Sequence, residues 1–138
     1  MVYAVIDTNV LVSALWTENP LAATRCVLDL LIGRAITPLY NEEIIDEYRE
    51  VLTRPKFPFD KQEVSSLIDY IIEIGEDTAR TSFEGFLQDE DDRVFYEISL
   101  SKANSFLVTG NLKHFPRTPQ VVTPAEFIEK VFQSISHK

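Results

Sequence analysis

Asp7, Glu47, Asp92 and Asn111 are spread along most of this chain, and together they could act on a phosphate ester. Hard oxygen donors of this kind are the ligands that Mg2+ and Mn2+ prefer, and such ions keep water while touching phosphate. Three or four convergent carboxylates would bind one or two ions, orient and activate water, and stabilise the transition state of phosphodiester cleavage. Each acid also has a plainer explanation. Asp7 or Asn9 could simply cap the helix that follows. Asp89, Glu90, Asp91 and Asp92 could be a solvated helix start, whose mutual repulsion water and the helix dipole relieve.

Convergence depends on the elements that carry these residues. Tyr3 to Ile6 is a continuously apolar run, as in a strand buried on both faces of a parallel sheet, and it ends in Asp7-Thr8-Asn9. Ser105 to Thr109 repeats the pattern and ends at Gly110-Asn111. Ligands of open α/β sheets sit beyond the C-terminal strand ends, so both strands deliver polar residues where a cleft is expected. Asn41 is a good N-cap for a helix whose apolar stripe is Ile44, Ile45, Tyr48, Val51 and Leu52, with Glu47 at its border. The acidic run from Asp89 leads into a helical segment through Ala103.

The remaining stretches alternate in the same way. Pro20 to Ile32 and Lys61 to Gly75 read as helices. Ala35 to Tyr40 reads as a strand that Pro38 makes irregular or peripheral. Thr78 to Ser82 is a brief strand candidate, and Val121-Val122 an edge strand. Thr123, Pro124 and Glu126 form a capping box ahead of Phe127, Ile128, Val131 and Phe132. Phe57 and Phe59, between Pro55 and Pro58, could pack locally or serve a protein interface. The pattern implies an α/β fold with four to five short, mostly parallel strands covered by helices. A length of 138 residues suits a single domain over 1–133, with 134–138 expected as a disordered tail.

Composition removes several classes of function. The single cysteine, Cys26, excludes an internal disulfide and a cysteine-based zinc cluster, and within an apolar helical segment it reads as packing. Neither His114 nor His137 has a partner at zinc-ligand spacing, and His114 reads as a surface or supporting residue rather than a general base. There is no Gly-x-Gly-x-x-Gly and no phosphate-binding Gly-x-x-x-x-Gly-Lys motif. The apolar runs are too short for a membrane span and the N-terminus lacks a basic secretory segment, so a cytoplasmic protein with no membrane partner is expected. With 22 acidic against 13 basic side chains, the net charge of −9 opposes binding driven by phosphate neutralisation alone. A bound metal ion would reverse that sign locally.

The Asp7-Thr8-Asn9 start, Glu47 within Glu-Ile-Ile-Asp-Glu-Tyr, Asp89-Glu-Asp-Asp92, Val108-Thr-Gly-Asn-Leu-Lys-His-Phe115 and Val122-Thr-Pro-Ala-Glu-Phe127 together resemble the PIN-domain nucleases. The similarity is to the VapC-like branch of toxin components of toxin–antitoxin pairs, and it runs from about residue 2 to residue 129. It implies a three-layer α/β/α sandwich in which Asp7, Glu47 and Asp92 bind Mg2+ or Mn2+. It further implies that Thr8, Asn9, Asp89 and Thr109 support them, and that Asn111 stands where many members carry a fourth acid. Asparagine offers a carbonyl oxygen without charge, which favours one tightly held ion, a second being recruited by substrate phosphate. Arg93, Lys102 and Lys113 are candidate phosphate contacts.

The resemblance also implies a metal-dependent endoribonuclease that leaves a 5′-phosphate and a 3′-hydroxyl, assembled as a homodimer. A small antitoxin protein would inhibit it, and promoter DNA would be read through that partner rather than by this chain alone. Two other readings remain open at the level of sequence. One is an inactive interaction protein built on the same fold; the other is a metal-dependent DNA nuclease or phosphatase using the same carboxylates.

Overall fold

A computed structural model describes residues 1–136. Its centre is β1 (Val2–Ile6), flanked by β2 (Ile36–Tyr40) and β4 (Ser105–Val108), with the two-residue strands β3 (Glu76–Asp77) and β5 (Val121–Val122) outside them. All pairs are parallel, in the order β3-β2-β1-β4-β5. The register sets Tyr3 against Ser105 and Ile6 against Val108, so β1 and β4 end side by side. Ala4, Val5, Ile6, Leu107 and Val108 are buried, which is why both runs read as continuously apolar.

Helices flank this sheet as the alternating pattern requires. They are α1 (Thr8–Trp16), α2 (Ala23–Ile32), α3 (Glu42–Leu52), α4 (Lys61–Ile74), α5 (Arg93–Leu100) and α6 (Pro124–Ser136). α2 packs on α1 and α6, while α3 packs on α4 and α5. Tyr48, Phe95 and Phe127 are among the largest fully enclosed side chains, each contributing about 1.5–3 kcal/mol or more by leaving water. Both predicted helix starts form. Asn41 Oδ1 accepts from the Ile44 N–H at 2.9 Å, and Thr123 and Glu126 exchange reciprocal hydrogen bonds at 2.8 and 3.2 Å. None of the described helices is long and apolar enough to cross a membrane.

Three expectations change. β2 is an interior strand despite Pro38, because β3 pairs only with Leu39 and Tyr40 and leaves Pro38 unpaired on that flank. The close approach is made at Gly75, where a Cβ would lie 2.5 Å from the Pro38 carbonyl oxygen. The outer strand is Glu76–Asp77 rather than Thr78 to Ser82. The latter residues are instead tied to neighbours singly, Thr78 N–H donating to the Tyr40 carbonyl and Thr81 N–H to the Glu97 carbonyl. Finally, α6 continues through Ser136, so the first part of the expected tail is helical, and 137–138 lie outside the described residues.

Candidate acidic active site

The parallel register that pairs Ile6 with Val108 carries Asp7 and Thr109 together beyond the ends of their strands. Asp7 N–H continues the ladder by donating to the Val108 carbonyl at 3.0 Å, and the Asp7 carbonyl accepts from the Val10 N–H. Asp7 therefore occupies the N-cap position of α1, but its side chain makes no capping bond. The carboxylate is turned to the sheet edge instead. Thr109 Oγ1 donates to Asp7 Oδ2 at 2.8 Å and Asn9 Nδ2 donates to the same oxygen at 3.1 Å. Asn9 Oδ1 accepts from the Gly110 N–H at 3.3 Å, and the Asn111 N–H donates to Thr109 Oγ1 at 3.0 Å. One continuous set of hydrogen bonds thus joins the two strand ends around a buried acid.

Glu47 reaches this region from α3. Its Oε2 accepts a hydrogen bond from Thr8 Oγ1, so the Thr8 hydroxyl holds the second acid while the Thr8 N–H serves the first. Next to it, the buried Tyr48 donates from its hydroxyl to the Ile6 carbonyl at 2.5 Å, fixing α3 against the end of β1. In the sequence Tyr48 is visible only as part of an apolar stripe. Its phenol group is the signal that points further, since a buried hydroxyl must find a partner.

Asp92 closes a short 3-10 helix, Glu90–Asp92, at the start of α5. Asp89 caps that turn by accepting from the Asp91 N–H at 3.0 Å. Asp92 Oδ2 lies 3.0 Å from His114 Nδ1, which comes from the 3-10 helix Leu112–His114 following β4. His114 thus has a specific partner in Asp92. Asn111 itself is exposed just before that turn, and Lys113 is exposed within it.

Two of the candidate phosphate contacts stand elsewhere or are engaged. Lys102 lies before β4, at the opposite end of the strand from Thr109. Its Nζ is 3.0 Å from Glu76 and 4.1 Å from the Tyr3 ring centroid. Arg93 binds Glu90 through Nε and Nη2 and clamps the Phe83 and Gly85 carbonyls.

The three acids are coupled through their charges. Burial pushes the Asp7 carboxyl up to about 6, only partly offset by Thr109, and the Asp92 charge adds to the rise. Burial raises Glu47 too, opposed by Thr8 and reinforced by Asp7; burial also raises Asp92, opposed by His114 and reinforced by Asp89 and Glu47. Among the described residues no Lys or Arg forms a salt bridge with any of the three. No group of three or more His, Cys, Asp or Glu side chains there is gathered closely enough to enclose an ion. The donor chemistry nevertheless fits a hard divalent cation. In each acid the side-chain hydrogen bonds take one oxygen only, namely Asp7 Oδ2, Glu47 Oε2 and Asp92 Oδ2.

Residues 3–113 match the family model described as PIN domain. A comparison with the curated proteins finds no match. Among solved structures, the chain is similar to VapBC2 from Rickettsia felis, crystallised bound to a DNA fragment from their promoter. The TM-score is 0.56 and the identity 20%, covering 89% of this chain and 97% of that chain, a likeness of fold.

Proposed function

This chain belongs to the PIN-domain family, and from that premise we propose that it is a Mg2+- or Mn2+-dependent endoribonuclease, the toxin of a toxin–antitoxin pair. The observation that carries the reading is a buried carboxylate, Asp7, held by the neutral donors Thr109 and Asn9, with no arginine or lysine paired to it, to Glu47 or to Asp92 among the described residues; burial raises all three acids. A bound cation would offset the cost of keeping these carboxylates ionised.

Asp7, Glu47 and Asp92 would hold the ion. When bound, the ion supplies charge stabilisation for the phosphoryl oxygens and lowers the pKa of a coordinated water. The chain's own residues do the positioning. Thr109 and Asn9 orient Asp7, Thr8 orients Glu47 while Tyr48 anchors α3, and His114 orients Asp92. Asp89 shapes the turn that presents Asp92, and Asn111, exposed beyond the end of β4, offers a neutral carbonyl oxygen to water or to a distal ion. In the reaction, the water oxygen bonds to phosphorus and the P–O3′ bond breaks. The water proton leaves to a cleft carboxylate or solvent, and the 3′ oxygen takes up a proton. The products are a 5′-phosphate and a 3′-hydroxyl. Lys113, exposed beside His114, is the remaining basic candidate for a phosphate contact.

A small antitoxin supplying basic residues would complement a chain of net charge −9, and a homodimer is the assembly proposed with it. The test is cleavage of labelled RNA, single-stranded DNA and a phosphomonoester by protein stripped of any partner, with Mn2+ and with chelator. RNA cleavage with Mn2+ alone is expected. Metal binding without RNA cleavage, or RNA cleavage that survives both Asp7→Asn and Asp92→Asn, would overturn the reading.

A further inference from the structure

Away from the cleft, the helix that carries Thr8 meets the loop that follows the helix carrying Glu47. At the C-terminal end of α1, Trp16 stands edge-on to Phe57 and Phe59, with ring centroids 5.2 and 6.0 Å away. The two phenylalanine rings lie stacked 5.1 Å apart at 11°. Trp16 keeps 53% of its surface exposed, and Lys56 Nζ lies 5.2 Å from the Phe57 ring centroid. From Thr8 to Trp16 is about 12 Å along the helix axis. That is within reach of the roughly 4 to 16 nucleotides a single-strand-binding surface occupies.

The segment that carries Phe57 and Phe59 is charged oppositely to the chain, although Glu18 lies two residues from Trp16. Residues 49–61 carry Arg49, Arg54, Lys56 and Lys61 against Glu50 and Asp60, a local excess of two positive charges in a protein of net charge −9. All four basic side chains are exposed. Arg54 is paired with Glu50 at 2.9 Å, which leaves the other three without a salt bridge among the described residues. Lys61 opens α4, the end of a helix where a cation opposes the macrodipole, so its position is not explained by helix stability. Trp16 is exposed, while Phe57 and Phe59 are half-buried and brace it. An exposed ring set among free cations is what a sequence-tolerant single-stranded nucleic acid surface requires: the ring stacks on a base and the cations pair with phosphates.

We propose that Trp16, braced by Phe57 and Phe59, forms with Lys56 a stacking platform that binds single-stranded RNA flanking the scissile phosphate. The inference rests on the ribonuclease reading, and its test separates the two. Trp16 is the sole tryptophan, so its fluorescence reports the platform directly. In chelator, where RNA stays intact, a ten-nucleotide oligouridylate should quench Trp16 saturably, with a slope of log K against log salt of about −2 for three phosphate contacts. Lys56→Gln should flatten that slope by about 0.7. Phe57→Leu should weaken binding about tenfold. With Mn2+, both variants should raise KM for a long RNA more than they lower kcat.

RNA binding at Trp16 without any cleavage would support the platform and sink the ribonuclease reading. Cleavage of the oligonucleotide with Trp16 unperturbed would sink the platform and leave the ribonuclease reading standing. An unchanged KM in Lys56→Gln, a surface change that does not threaten folding, would also overturn the proposal. So would a Trp16 signal that answers an antitoxin protein but no RNA.

Discussion

Asp7 and Glu97 are carboxylates with the same 5% of their surface exposed, and the fold treats them in opposite ways. Glu97, on α5, would be pushed upward by burial. The Phe83 N–H at 2.8 Å and Arg80 Nε at 2.7 Å outweigh that effect and hold it below the usual glutamate range. Arg80 also reaches Glu43 at 2.8 Å, so the network pins the segment after β3 to both α3 and α5. Asp7 receives only neutral donors, Thr109, Asn9 and the Thr8 N–H, and burial with the Asp92 charge carries it to about 6. The same chain that neutralises one buried acid with its own arginine leaves the other without a cation among the described residues. The first arrangement holds structure together. The second is a standing electrostatic cost that a bound cation would remove.

The widest gap between the two acids is expected in activity. Asp7→Asn or Asp92→Asn should lower Mn2+-dependent RNA cleavage by at least about 100-fold, the upper end of what losing even an indirect metal partner costs. Glu97→Gln should change it less than about threefold, by the same reasoning, since it touches no proposed ligand. Similar losses in both would erase the distinction.

Stability should move with opposite signs. A rise from 3.8 to about 6 corresponds to an upper bound of about 3 kcal/mol, so Asp7→Asn should stabilise the metal-free protein at pH 8 by up to that amount. Glu97→Gln should destabilise it by about 1.5–3 kcal/mol, because it weakens a charged hydrogen bond and leaves Arg80 poorly paired. Urea titrations in chelator measure both, and a destabilised Asp7→Asn would contradict the electrostatic account.

The pH windows differ as well. Asp7 is raised on folding, so its penalty is absent below about pH 4, grows as pH rises to about 6 and is complete above it. The metal-free protein should therefore gain stability on this account as pH falls from about 6 towards 4, and Asp7→Asn should remove that gain. Glu97 is lowered, so its contribution is present above the ordinary glutamate value of 4.5 and is lost as pH falls through its depressed one. Mn2+ should flatten the Asp7 component by binding the ionised form, with proton release seen when calorimetry is repeated in buffers of different ionisation heat.

The smallest effect concerns orientation. His114→Ala or Thr8→Val should weaken Mn2+ binding about tenfold without unfolding the protein, as loss of a residue that orients a ligand does. Unchanged affinity in both would mean that Asp92 and Glu47 need no such support.

Much of this arrangement is legible in the amino-acid sequence. Continuous apolar runs ending in polar residues mark β1 and β4. Asn41 and the Thr123–Glu126 box mark α3 and α6, because capping acts within one turn of chain. Pro38 points the wrong way for β2, since a missing N–H matters only where a neighbouring strand asks for it. Lys102 and Arg93 are recognisable as cations from the sequence, whereas their commitment to Glu76, Glu90 and two carbonyls depends on how the folded chain brings other segments to them.

By itself the sequence determined which acids exist, which elements carry them and that strand ends deliver Asp7 and Asn111 to one side of the sheet. Only the tertiary structure decided that Thr8 holds Glu47, that His114 holds Asp92 and that Glu97 meets Arg80 while Asp7 meets no such cation among the described residues. The reason is physical. Periodicity and capping act between near neighbours, but the state of a buried charge is set by desolvation and by whatever partner the folded chain brings within a few ångströms.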